Sequence, residues 1–202
     1  MFQSKDLFKF NESPIENFNR LFEEAKKNPG MDPTIMTLAT TDKCGKPNGR
    51  IVLLKQVDQN DFIFFTNYNS PKGHELEFNP EACLVFFWGP LAVQIRILGS
   101  VKKVTRQESE TYFKTRPRLS QIGAWASKQS EIIDSYETLQ LKIDSLAEEF
   151  KDKEIPCPEF WGGYRLKAQL IEFWFGMEGR LHYRYVYESS GSNDWLRTMK
   201  SP

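Results

Sequence analysis

Between Glu110 and Glu131 the chain carries four cations, Lys114, Arg116, Arg118 and Lys128, and no acidic residue. Tyr112, Ser120, Gln121, Gln129 and Ser130 are interleaved with them, so the segment offers many hydrogen-bond donors to an acceptor-rich anion. A phosphate ester has that character, because charge-assisted bonds to its oxygens are the strong ones. Charge alone is equally met by a solvated basic loop. A second cluster is Arg180, His182 and Arg184, which fall on one face of a strand-like run whose other face is Leu181, Tyr183, Tyr185 and Tyr187. An anion or ligand surface suits three such groups; a solvent-facing edge strand is the alternative. In Arg50-Ile-Val-Leu-Leu-Lys55, four apolar residues sit between two cations. The pattern reads as a strand buried on both faces, with Arg50 and Lys55 on opposite faces about 17 Å apart.

The residues that are missing narrow the chemistry. The two histidines, His74 and His182, have no Cys, Asp or His partner at metal-ligand spacing, so no metal is expected. Neither Gly-x-Gly-x-x-Gly nor Gly-Lys-Ser/Thr occurs, which leaves side chains to hold any bound phosphate. Cys44, Cys83 and Cys157 form no Cys-x-x-Cys pair, a usage that fits a reducing cytoplasm better than a disulfide framework. No apolar run approaches the roughly 18 residues of a membrane span, and Lys5, Asp6 and Lys9 interrupt the N-terminus, so neither export nor a membrane partner is expected. Lys+Arg and Asp+Glu balance at 27 each, which disfavours nucleic acid and favours a small-molecule partner.

The elements that must position these groups are legible as patterns. With 202 residues, 40% hydrophobic and 27% charged, the chain fits one domain, with an arm and helix over 1–30 and a barrel with helical insertions over 31–202. Ser13-Pro14-Ile15-Glu16 is a capping box that opens a helix ending at Asn28-Pro29-Gly30. Strands follow over 34–41, 49–57 and 62–66. Ser70 and Pro71 start a short helix to about Asn79, with Lys72 in its first turn beside the positive end of the dipole. Strands over 82–88 and 91–104 come next, the second placing Gln94 and Arg96 on one face. Thr105-x-x-Glu108 opens a helix that ends before Pro117 and puts Tyr112 and Arg116 on one side. Ile132, Tyr136, Leu139, Ile143, Leu146 and Phe150 form the stripe of a packing helix. A final pair of strands over 164–174 and 180–187, with a weaker one from Trp195, completes a mainly β chain with flanking helices. The expected sheet is an antiparallel, barrel-like one of six to eight strands.

Several segments, taken together and in order, resemble the pyridoxamine 5′-phosphate oxidase family. They are Arg50 to Lys55, Phe65-Thr66-Asn67, Arg116 to Ser130, Pro158-x-Phe-Trp161-Gly-Gly163, Ile171-Glu-Phe-Trp174 and Arg180-Leu-His182. The resemblance implies an FMN-binding split β-barrel homodimer with two FMN sites at the subunit interface. It implies oxidation of pyridoxamine or pyridoxine 5′-phosphate to pyridoxal 5′-phosphate, with O2 as acceptor and hydrogen peroxide as product. By the same resemblance Arg50, Ile51, Val52, Leu53, Leu54, Lys55, Phe65, Thr66, Lys72, Gln94, Gln129, Ser130, Trp174 and Arg184 line the FMN. Lys55, Tyr112, Arg116 and Ser120 hold the substrate phosphate, and Arg180 and His182 sit against the substrate ring as the catalytic pair. Pro71 and Val93 stand where the family has basic residues, the tail lacks Arg-Leu-x-Pro, and the N-terminal arm lacks Arg-x-x-Tyr. These departures bear on FMN affinity and on closure over substrate. Two other readings keep the fold: a non-catalytic flavin or pyridoxal-phosphate binder, and an FMN oxidoreductase with another substrate.

Overall fold

The computed structural model describes residues 4–191 and 194–202; residues 1–3 of the expected arm and 192–193 of the expected barrel lie outside the described residues. Helix α1 (Pro14–Lys26) starts as its capping box requires: the Ser13 hydroxyl accepts from the chain and the Ser13 N–H donates to Glu16 at 3.1 Å. It buries Phe18, Leu21 and Ala25, and Phe18 meets Phe62 and Phe86 edge-on at 5.0 and 5.3 Å.

Among the described residues nine antiparallel strands make one sheet, more than the six to eight expected. Strand β1 (Ile35–Thr41) lies between β2 (Pro47–Leu53) and β5 (Glu81–Trp88), and β5 continues to β6 (Val93–Lys103) and then β7 (Trp161–Phe175). The 15-residue β7 organises the rest. One edge runs along β6; the other is shared by β4 (Asp61–Asn67) on its first half and β8 (Tyr183–Ser189) on its second. β3 (Gln56–Asp58) pairs with β4, and β9 (Trp195–Lys200) with β8. The run over 49–57 is therefore two strands, because the chain changes partner at Leu54. The Leu54 N–H donates to the Thr34 carbonyl at 2.9 Å, and the Lys55 N–H to the Ile63 carbonyl at 2.8 Å. That switch joins the two ends of the sheet path into a split barrel and removes the alternation that would separate Arg50 from Lys55. Nor is β2 buried on both faces: it has only β1 beside it, and Ile51 and Leu53 are 59% and 38% exposed.

The β6–β7 register slips between Leu98 and Gly99, where a Cβ on Gly99 would stand 2.0 Å from the Lys167 carbonyl oxygen. Backbone would have to move, so Gly99→Ala is expected to cost about 1–3 kcal/mol in urea denaturation.

Helices α2 (Pro71–Phe78) and α3 (Arg106–Thr115) begin at the expected caps, Ser70 and Thr105. Helix α4 (Arg118–Ala126) forms inside the basic run, where no helix was expected. Helix α5 (Tyr136–Glu149) uses only part of the predicted stripe: Ile143, Leu146 and Phe150 pack on Phe113, Ile122 and Trp161, while Ile132 precedes the helix and is 100% exposed. The strand expected over 180–187 starts at Tyr183. Arg180 ends a 3-10 turn and has φ of 60°, so it and His182 are not on a strand face with Arg184.

Candidate functional site

A cleft of about 930 Å³ runs from the end of β2 and the N-terminus of α2 to α3 and α4. Arg50, Ile51, Val52, Leu53, Lys55, Phe65, Thr66, Lys72, Tyr112, Arg116, Ser120, Gln129 and Ser130 all line it. Arg50 and Lys55 thus border one cavity, a consequence of the break at Leu54. Leu54 itself is buried in the core and does not line the cleft.

Lys72 is 7% exposed, with Nζ donating to Gln129 Oε1 at 2.7 Å and Ser70 Oγ at 3.1 Å. Thr66 Oγ1 donates to the same Gln129 oxygen at 3.1 Å. Burial, then the nearby Arg50 charge, pushes the Lys72 ammonium down to about 8. The nearest acid in this network is Glu75 on α2, and it is spent on others: it accepts from Arg50 Nη2 at 2.7 Å, Asn48 Nδ2 at 2.9 Å and the Thr40 hydroxyl. Burial acts to raise the Glu75 carboxyl, yet the Thr40, Asn48 and Arg50 hydrogen bonds outweigh it and hold it below the usual range. Glu75 escaped the sequence reading because its partner Arg50 lies 25 residues away; only its i,i+3 spacing from Lys72 pointed toward the cleft.

Arg116 ends α3, its guanidinium lying 4.6 Å over the Trp161 ring and 5.5 Å from the Phe113 ring. Its Nη1 is buried without a hydrogen-bond partner, and burial lowers its pKa. Beside it Tyr112 stacks on Phe65 at 4.0 Å, with Trp161 parallel beyond. The other three cations of the basic run are occupied elsewhere. Lys114 pairs with Glu154 at 2.7 Å, Lys128 with Glu131 at 3.6 Å, and Arg118 donates to the Phe150 and Lys153 carbonyls beyond α5. Of the four cations, only Arg116 has neither an ion pair nor a hydrogen bond from its guanidinium among the described residues. A buried lysine and a half-buried arginine, neither in an ion pair among the described residues and both flanked by hydroxyls and amides, fit anionic phosphate groups held by side chains.

Gln94, Trp174, Arg180, His182 and Arg184 do not line this cleft. The Trp174 and His182 rings meet tilted with centroids 4.6 Å apart, and the Met177 N–H donates to His182 Nδ1 at 3.1 Å, which makes Nδ1 the acceptor nitrogen. The registers Thr37↔Ile51, Ile35↔Leu53, Thr37↔Val85, Phe87↔Gln94, Gln94↔Trp174 and Trp174↔Arg184 put Gln94, Trp174 and Arg184 on one sheet face with Ile35, Ile51, Leu53 and Phe87, while Arg180 and His182 lie in the turn before β8. Ile51 and Leu53 belong to that face and to the cleft rim.

Residues 22–149 match the family model described as pyridoxamine 5′-phosphate oxidase, which covers more than half of the chain. The chain belongs to this family. Residues 161–202 match the pyridoxine 5′-phosphate oxidase C-terminal dimerisation region. The pyridoxine/pyridoxamine 5′-phosphate oxidase of Bdellovibrio bacteriovorus is 44% identical over 196 residues, 97% of this chain and 100% of that one. Its counterpart in Leptospira biflexa is 48% identical over 189 residues, 94% and 89% of the two chains. Among solved structures, PhzG from Burkholderia lata in complex with tetrahydrophenazine-1-carboxylic acid superposes with a TM-score of 0.90 at 28% identity, covering 100% of this chain and 98% of that one. An FMN-binding protein related to the family, from Nostoc punctiforme, shares the fold at a TM-score of 0.77. Of the two departures from the family's basic positions, Pro71 lines the cleft, whereas Val93 is 0% exposed in the core and cannot reach it.

Proposed function

We propose that the protein is an FMN-dependent oxidase converting pyridoxamine or pyridoxine 5′-phosphate to pyridoxal 5′-phosphate, with O2 taken up and hydrogen peroxide released. The observation that carries this is a pair of cations in one cleft, the buried Lys72 and the half-buried Arg116, with no carboxylate paired to either among the described residues. The names of the relatives, at 44–48% identity over nearly the whole chain, support the substrate class. Lys72, Gln129, Ser130, Thr66 and Arg50 hold the FMN phosphate side, and Arg116, Tyr112, Ser120 and Lys55 hold the substrate phosphate. FMN held by these residues would supply a two-electron hydride acceptor for the substrate C4′, with O2 as the final oxidant. This chain's own residues place the substrate and move its protons. The amine substrate gives an imine, and water hydrolyses it to the aldehyde and ammonia.

The homodimer completes the site in this reading. A second copy covering the face of Ile35, Ile51, Leu53 and Phe87 would border the cleft rim, and would bring Gln94, Trp174, Arg184, Arg180 and His182 to it. The exposure of Ile51 and Phe87 and the dimerisation region over 161–202 support this. Arg180 then covers the substrate ring and assists proton movement, and His182, steadied by Trp174 and the Met177 N–H, positions it. The one continuous sheet from Ile35 to Lys200 supports reading 1–202 as one domain. Among the described residues no helix is long and apolar enough to cross a membrane; the proposed cytoplasmic setting rests on the cysteine usage.

The test is to load the purified protein with FMN, add pyridoxine 5′-phosphate in air, and follow aldehyde and peroxide, which are expected in equal amounts. A yellow protein giving neither product, with pyridoxine 5′-phosphate or with a reduced phenazine carboxylate, would establish the non-catalytic reading. Turnover of a reduced phenazine carboxylate in place of the phosphate ester would establish the reading that the likeness to PhzG favours.

A further inference from the structure

Glu172 lies on β7, 3% exposed, among the side chains of the face just described. Its two oxygens are divided between two arginines from the strands on either side. Oε1 accepts from Arg184 Nε at 2.7 Å and Oε2 from Arg96 Nη1 at 3.2 Å. Register explains the arrangement: Arg96 is directly opposite Glu172, and Arg184, opposite Trp174, is its diagonal neighbour. Arg184 Nη1 donates in turn to the Ser201 carbonyl at 3.1 Å. Two of the three guanidinium nitrogens are thereby fixed, and among the described residues Nη2 has no hydrogen-bond partner, on the face that Arg184 shares with its cross-strand neighbour Trp174.

A buried carboxylate shared by two arginines is a costly way to join strands, since apolar residues of the same size often do as well. What it does supply is direction. We propose that Glu172 is a positioning residue of the flavin site: it holds the Arg184 guanidinium by its Nε edge so that the Nη2 edge is presented to the flavin. This rests on the reading above, in which Arg184 contacts FMN.

The test is an FMN titration by flavin fluorescence quenching on dimeric protein, arranged as a double-mutant cycle. Glu172→Gln is expected to weaken FMN about tenfold, as loss of one charge-assisted alignment would. Arg184→Met is expected to weaken it at least as much, and the double variant no more than Arg184→Met alone, because both act through one contact. Arg96→Met, which removes the carboxylate's other partner, leaves FMN affinity at the parent level. Wild-type affinity in Glu172→Gln, additive losses in the double variant, or a loss in Arg96→Met equal to that of Glu172→Gln would overturn the proposal. Parent-like FMN affinity in Arg184→Met would instead remove the assignment of Arg184 itself, and the proposal with it. Should Glu172→Gln not fold, Glu172→Asp carries the same test: it keeps the charge but withdraws it from Arg184, so its FMN affinity must fall and the loss must vanish in the Arg184→Met background.

Discussion

Lys72→Met is expected to raise the dissociation constant for FMN about a hundredfold, since charge-assisted hydrogen bonds contribute roughly 1.5–3 kcal/mol each. It is also expected to erase a pH dependence that the parent should show. In the free protein the Lys72 ammonium titrates near 8, held down first by burial and then by Arg50. A phosphate dianion placed against it favours the charged form, so binding takes up a proton wherever the free lysine has lost one. Affinity is therefore full below about pH 8 and falls above it, by at most about tenfold per pH unit. The phosphate monoester loses its second proton near pH 6, so the optimum lies between roughly 6 and 8. The effect on folding has the opposite sign. Below about 8 the buried charge costs stability in full, and the FMN-free protein gains stability as pH rises from there toward the ordinary lysine value of 10.5. Titrating FMN at several pH values checks both parts; a parent affinity that is flat from pH 7 to 9.5 would remove Lys72 from the phosphate site.

Arg116→Met is expected to raise KM for pyridoxine 5′-phosphate about a hundredfold while leaving kcat within a few-fold and FMN affinity unchanged. The reason is spatial. Arg116 stands on Trp161 and Phe113 at the α3–α4 corner, whereas the Lys72 network runs through Ser70, Gln129 and Thr66. Its buried, unpartnered Nη1 has no other work in the described chain. Methionine keeps contact with the rings, so the loss isolates the charge. Steady-state kinetics set beside an FMN titration decide the matter: equal losses in both would mean that the two phosphate sites are one.

What the sequence showed and what it hid differ in range. The caps at Ser13, Ser70 and Thr105 stand where they were expected, because a cap is decided by residues within a single turn. The break at Leu54 was not visible, because the Thr34 and Ile63 carbonyls that take the Leu54 and Lys55 N–H groups lie on other strands. Arg180 and His182 were placed on a strand by alternation alone, but the turn at Gly179, with φ of 63°, delays β8 until Tyr183.

By itself the sequence determined the family, the phosphate-directed chemistry, the helix starts and most of the side chains that line the cleft, since motif order and local spacing carry that information. Tertiary structure alone decided which cation of the basic run is free. It also decided that Glu75 and Glu172 hold Arg50 and Arg184, and that one set of expected site residues lines the cleft while the other lies outside it, on the sheet face and in the turn before β8. A charge in a sequence is only a count. Whether it is spent on a neighbour or left for a ligand depends on what long-range folding buries against it, and no spacing along the chain encodes that.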